Sequence, residues 1–347
     1  MTPGGIVDGA VGVSRGRIAA IRVRAPRGAQ AIDVRGAYVA QGFIDLHMWG
    51  EPATLAHELP RGGAVAFLAT VGPASPAQLA RAISSSARAT AGAQCLGWHL
   101  EGPCVNPQRG GALPKRGMRR PSVAELSRLV SAAADPVRLM TLAPELPGAI
   151  ALIRWCAQRG LVASLGHSAA DALTARRAVE AGARAVTHVF NGMAPFHHRQ
   201  PSLVDEALAN PRLTTMVIAD GVHASPSALA LLARLKGAEG VALVTDSVRH
   251  QRNAWRLAAR RGAYVRPDGT LAGSRIRMID AVRTMVQEAG VPVEVAVRMA
   301  AETPARLLGL GGRGAIRLGA RADLVVFDQR FRIRLTLVAG EPVYCAN

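Results

Sequence analysis

Lysine is almost missing from this chain. Lys115 and Lys236 are the only two, so nearly all of the 42 basic residues are arginine, and against 24 acidic residues they leave a formal charge of +18. A surplus of that size draws anions. Aromatic residues are also scarce, at 4%, and none is interleaved with an arginine run, so no nucleic-acid partner is expected. The charge is more simply matched to a small anionic substrate. Cysteines are few and far apart (Cys95, Cys104, Cys156 and Cys345), which fits reduced thiols in a cytoplasmic protein. No apolar run approaches the ~20 residues needed to span a bilayer, so no membrane partner is expected. The first residues, Met1-Thr2-Pro3-Gly4-Gly5, lack the basic and apolar regions of a secretory signal.

What the chain does have is apolar content. Its 347 residues are 49% hydrophobic, enough for one large core and a smaller attached unit. Eight short apolar segments begin near Gly42, Ala64, Cys95, Val137, Val162, Ala185, Thr215 and Ala242. Amphipathic stretches at 75–89, 122–134, 149–159 and 170–181 lie between them, with Ser75-Pro76 and Ser122 as starts and Gly160 and Gly182 as stops. Such alternation predicts a parallel sheet with helices outside, and eight units predict a closed (β/α)8 TIM barrel. Helices near 276–289 and 293–308 would close it. Both chain ends read instead as short β-like stretches with glycine turns, at 6–24, 31–40, 315–327 and 333–344. The expected division is a barrel over 41–310 and a small β-domain built from 1–40 and 311–347.

Polar residues stand where the apolar segments stop. Glu101 ends the run 95–100, His167 follows 162–165, His188 follows 185–187, and Asp246 follows 242–245. In a barrel all of these strand ends open on one face, where active sites lie. One acid, two imidazoles and a last acid on four strands point to a metal hydrolase. Taken singly, His167 could simply bond to backbone and Asp246 could cap the next segment. Cys104, beside Glu101, could be a nucleophile, although packing is the simpler role without a clear histidine partner.

The ordered motifs resemble one family. Gly42-Phe43-Ile44-Asp45-Leu46-His47, His99-Leu100-Glu101-Gly102-Pro103, Thr141-Leu142-Ala143-Pro144-Glu145 and Gly166-His167-Ser168 come first. Thr187-His188-Val189-Phe190-Asn191-Gly192-Met193, His198-Arg199-Gln200-Pro201, Ala219-Asp220-Gly221-Val222-His223 and Thr245-Asp246 follow. Together they resemble the N-acetylglucosamine-6-phosphate deacetylases of the amidohydrolase superfamily, over nearly the whole chain. The resemblance implies hydrolysis of the N-acetyl amide of a phosphorylated amino sugar. Glu101, His167 and His188 would hold one divalent metal ion, zinc by default, with iron or another divalent ion as alternatives. Asp246 would be the general base and acid. Asn191, Gly192 and His223 would bind the sugar phosphate. Arg199 would reach a neighbouring subunit's site, which implies a homodimer.

The chain also departs from that pattern. The second position of the family's His-x-His is Trp49, and indole cannot ligate a metal, so one ion is favoured over two. Leu113 stands where a histidine is usual, and leucine offers no hydrogen bond to a carbonyl. The stretch 247–267 is arginine-rich and expected to lack the family's glycine-rich hairpin. These departures keep two other readings open: a deacetylase of another N-acyl sugar conjugate, and a catalytically impaired binding homologue.

Overall fold

The computed structural model describes residues 1–2, 4–22, 28, 30–84 and 91–346. Eight strands form one parallel sheet in consecutive order: β1 (Phe43–Trp49), β2 (Ala64–Val71), β3 (Gln94–Glu101), β4 (Val137–Leu142), β5 (Val162–Leu165), β6 (Ala185–Val186), β7 (Thr214–Ile218) and β8 (Val241–Val244). These match the eight expected segments. The sheet closes at one end, where the residues just past β8 meet β1. There Asp246 N–H donates to the His47 carbonyl at 2.8 Å, and Trp49 N–H donates to the Ser247 carbonyl at 3.0 Å.

Two apolar layers follow from this closure. Residues from all eight strands, including Leu46, Leu68, Leu139, Met216 and Val244, pack into one cluster, which only a barrel interior permits. A larger cluster joins the outer strand faces to helices, through residues such as Leu79, Leu126, Leu152 and Val179. Helix starts obey local chemistry: Ser122 Oγ accepts from Glu125 N–H at 3.3 Å, and Asp171 Oδ1 accepts from Thr174 N–H at 2.7 Å.

Three details differ from expectation. A helix not expected, Pro52–Glu58, comes first; of the expected stretch 75–89 the helix Pro76–Ser84 is described, and positions 85–89 lie outside the described residues, as do 23–24 of the first β-like stretch. The last helical stretch is two helices, Val293–Ala300 and Glu302–Leu307, because Ala301 takes φ −132° between them. The arginine-rich stretch does contain a hairpin, Ala258–Arg260 against Ala263–Val265, extended by Leu271–Ser274. Its strands are too short for alternation to be legible in the sequence.

The chain ends meet in one sheet. Tyr38–Gln41 pairs with Leu324–Phe327, which pairs with Ile333–Val338, which pairs with Glu341–Cys345, all antiparallel. A separate hairpin joins Ala10–Ser14 to Arg17–Arg22. No helix among the described residues is long and apolar enough to cross a membrane.

Candidate active site at the barrel mouth

Every strand-end residue singled out above sits at the closed end of the barrel. Glu101 is the last residue of β3. His167, His188 and Asp246 each follow a strand with positive φ, at 47°, 32° and 47°. Such values are uncommon for non-glycine residues and turn the chain sharply, which aims each side chain into the mouth. Asp246 is clamped by its backbone: its N–H bonds to β1, and its carbonyl accepts from Ser274 N–H at 2.8 Å.

These groups converge on one carboxylate oxygen. Glu101 Oε1 lies 2.9 Å from His188 Nε2, 3.0 Å from His167 Nε2 and 3.5 Å from His47 Nε2. His47 Nε2 is also 3.1 Å from Asp246 Oδ1. Trp49 Nε1–H donates to that same Oδ1 at 3.1 Å. All but Asp246 are buried. Burial would lift the Glu101 carboxyl, but His47 and the hydrogen bonds from His167 and His188 hold it well below the usual range. Burial would likewise lower His47, but Glu101 and Asp246 outweigh it and raise the imidazole to about 10.

The donor set fits a metal cation. The Arg109 carbonyl lies 2.9 Å from His167 Nδ1, so Nδ1 is the nitrogen that donates there and Nε2 is the one left facing Glu101. His188 Nδ1 is buried without a hydrogen-bond partner, and His47 Nε2 is buried with carboxylate contacts alone. His47, Glu101 and His188 offer ligand atoms all within 4.8 Å of one another. Imidazole nitrogens gathered round one carboxylate oxygen are the donor types that a divalent cation takes.

Behind the cluster runs a buried polar chain. His47 Nδ1 is 2.8 Å from His99 Nδ1, His99 Nε2 is 2.7 Å from Thr141 Oγ1, and Thr141 Oγ1 is 2.8 Å from Thr187 Oγ1. Burial and the neighbouring His47 charge press His99 well below its ordinary pKa. Sequence reasoning did not assign His47, Trp49, His99 or Thr141 a role in the site. Strand parity carried a signal for three of them: His47 and Trp49 alternate on β1, and His99 alternates with Glu101 on β3.

The cluster floors a cavity of about 120 Å³. Asn191, Gly192 and His223 line it on one side. Gly192 has φ 63° and passes so near His167 that a Cβ there would come within 2.7 Å of Nδ1. Asp220 fixes His223, its Oδ2 lying 2.7 Å from Nδ1 and its Oδ1 accepting the His223 N–H at 2.8 Å. Trp49, Leu113, Val248 and Trp255 line the other side. Arg199 does not line this cavity; it stands exposed on the segment after Met193. Cys104 is buried, and burial with the nearby Glu125 pushes its thiol up to about 12, which leaves no nucleophile at neutral pH.

Residues 38–343 match the model of the Amidohydrolase family. An N-acetylglucosamine-6-phosphate deacetylase of Bacillus subtilis (strain 168) is 31% identical over 99% of this chain and 94% of its own length. An N-acetylgalactosamine-6-phosphate deacetylase of Escherichia coli O157:H7 is 35% identical over 76% of this chain and 72% of its own. Among solved structures, a mutant of the Mycobacterium smegmatis N-acetyl-D-glucosamine-6-phosphate deacetylase in complex with N-acetyl-D-glucosamine-6-phosphate is similar. It superposes with a TM-score of 0.86 at 30% identity, covering 96% of this chain and 94% of that one.

Proposed function

Since the chain belongs to the N-acetylglucosamine-6-phosphate deacetylases of the amidohydrolase family, we propose that its barrel mouth hydrolyses the N-acetyl amide of N-acetylglucosamine 6-phosphate, releasing acetate and glucosamine 6-phosphate. The observation that carries the reading is the convergence of Glu101, His167, His188 and Asp246 at one cavity. Amidohydrolases of this kind are typically metal-dependent. In our reading Glu101, His167 and His188 hold one divalent ion, zinc by default. When bound, such an ion lowers the pKa of water and polarises the amide carbonyl.

The chain's own residues move the protons. Asp246 Oδ1 is occupied by the Trp49 N–H and faces His47, so Oδ2 is the oxygen free to work. Oδ2 accepts a proton from the attacking water as the new C–O bond forms. It then delivers that proton to the nitrogen as the C–N bond breaks, so acid and base are one residue. Asn191 and Gly192 bind the sugar, and His223, steadied by Asp220, faces the phosphate end. Arg199 is exposed and off its own cavity, so we assign it to the neighbouring subunit's phosphate in a homodimer, where a guanidinium pairs with phosphate through two hydrogen bonds. A cytoplasmic location suits a phosphorylated sugar.

The test is acetate release by zinc-loaded protein from N-acetylglucosamine 6-phosphate, N-acetylgalactosamine 6-phosphate and unphosphorylated N-acetylglucosamine. The expected order of kcat/KM is glucosamine over galactosamine, with the unphosphorylated sugar lowest. Arg199→Ala should raise KM for the phosphorylated sugars alone. Release from none of the three, by protein with about one ion per chain, would overturn the reading.

A further inference from the structure

The cavity is two-sided. Its polar side begins at His167, against which Gly192 and the Arg109 carbonyl are packed. From there the imidazoles step across the mouth, with ring centroids 4.8 Å apart from His167 to His188 and 5.5 Å from His188 to His47. Beyond His47 and Asp246 the wall turns apolar. Trp49, Leu113 and Val248, with Val105 and Tyr264, form a hydrophobic cluster separate from both barrel cores, and Trp255 packs against it. The Trp49 and Trp255 rings meet edge to face at 5.1 Å. Trp49 and Leu113 are 8% and 7% exposed, and Val248 1%, so this wall is closely packed.

An N-acyl amino sugar has one apolar part, its acyl chain. The sugar carries hydroxyls at every turn and needs partners that Leu113 and Val248 cannot supply. The Trp49 N–H is already donated to Asp246. With the scissile carbon held at the Glu101 cluster, the two substituents of the amide must diverge toward opposite sides. The polar side takes the sugar, and the apolar side is left for the acyl group.

We propose that Trp49, Leu113 and Val248 form an acyl subsite that selects short unsubstituted alkanoyl groups and rejects hydroxylated ones, with Leu113 as its selecting side chain. The inference rests on reading the cavity as an N-acyl amino sugar site. A hydroxyl placed in such a pocket loses its water partners without replacement, and discrimination of that type is worth roughly ten- to a hundredfold.

The experiment compares kcat/KM for N-acetyl-, N-propionyl- and N-glycolylglucosamine 6-phosphate in the parent chain, Leu113→Ser, Leu113→Ala and Leu113→Val. The parent should prefer acetyl over glycolyl by at least about tenfold. Leu113→Ser should narrow that ratio to within about threefold, since it places a hydroxyl partner in the wall, and Leu113→Ala should raise propionyl relative to acetyl by about tenfold. Leu113→Val keeps an apolar wall and should keep the parent's acetyl-to-glycolyl ratio. A merely structural Leu113 would lower all rates together and leave every ratio unchanged, and that result overturns the proposal. Equal parent rates on acetyl and glycolyl overturn it as well.

A second readout separates this proposal from the activity it rests on. Trp49 and Trp255 are two of the chain's four tryptophans, so fluorescence titration of metal-free protein with the same three compounds reports binding without turnover. Tighter binding of acetyl than glycolyl with no hydrolysis of either would sustain the subsite and sink the deacetylase reading. Hydrolysis without acyl preference would do the reverse. Neither binding nor hydrolysis would overturn both.

Discussion

At the barrel mouth and in the sheet made by the chain ends, carboxylates meet basic groups in opposite ways. Asp328, just past the strand Leu324–Phe327, accepts from Arg330 N–H at 2.9 Å, Arg332 N–H at 3.0 Å, Arg332 Nε at 2.8 Å and Arg334 Nη2 at 2.9 Å. Each of those donors is bonded, and the guanidinium groups remain in water. Glu101 is buried among three imidazoles, one of which, His188, keeps a buried nitrogen without a partner. Around it three backbone turns sit at positive φ on non-glycine residues. The Asp328 carboxylate is saturated by its donors, and the cluster at the mouth is not. Groups arranged to bind something other than themselves are held against their own preferences, and the rest of the fold holds them there.

The sharpest test of that contrast is Glu101→Gln, which keeps the shape and removes the charge on which the imidazoles converge. We expect metal content to fall from about one ion per chain to near zero, and turnover to fall by at least ~10³-fold. Retained metal with near-normal turnover would break the comparison at its centre. Asp246→Asn comes next. Turnover should fall by ~10²-fold or more with metal still bound and the melting temperature little changed, because the change removes the proton acceptor while Asn keeps an oxygen for the Trp49 N–H. A clear loss of stability there would mean that the mouth is a structural network after all.

Trp49→Phe removes one hydrogen bond to Asp246 while keeping most of the ring. It should lower kcat about tenfold with little change in KM, as for a positioning residue, and Trp49→His, which can return an N–H donor, should recover part of that loss. An unaltered kcat would free Asp246 from Trp49.

The smallest effect belongs to the terminal sheet. Arginine contacts hold the Asp328 carboxyl down to about 2, overcoming the desolvation that would raise it. Its folded pKa is thus below the unfolded value of about 3.9, so its contribution is complete above about pH 4 and fades as pH falls toward 2. Asp328→Asn should cost about 1 kcal/mol or less at pH 7, with no change in kcat, and the difference from the parent should vanish near pH 2. Chemical denaturation at several pH values measures it. A loss that persists undiminished at pH 2 would place its origin elsewhere.

Much of this molecule was legible in the residue order. Eight apolar segments became eight barrel strands, because a strand buried on both faces must be apolar throughout. Ser122 and Pro76 mark helix starts because their effects are local. Glu101, His167, His188 and Asp246 could be picked out because each interrupts or ends such a run. Residues whose role depends on a distant partner were harder to read. Trp49 looks like a lost ligand in the sequence, yet it bonds Asp246 across 197 positions. Leu113 looks like a lost hydrogen-bond donor, yet it packs with Trp49 and Val248 into one wall. The short hairpin over 258–265 has strands of three residues, too few for any periodicity to register.

By itself the sequence determined the repeat, the order of the strands and the polar residues at their ends, since burial and turn chemistry act on near neighbours. Tertiary structure alone decided that His47 joins the Glu101 cluster, which oxygen of Asp246 meets Trp49 and His47, and that one side of the cavity is apolar. Those outcomes depend on where the last strand meets the first. Barrel closure brings residues some 200 positions apart within 3.2 Å, as at Thr245 N–H and Asp45 Oδ1, and no local propensity encodes that meeting.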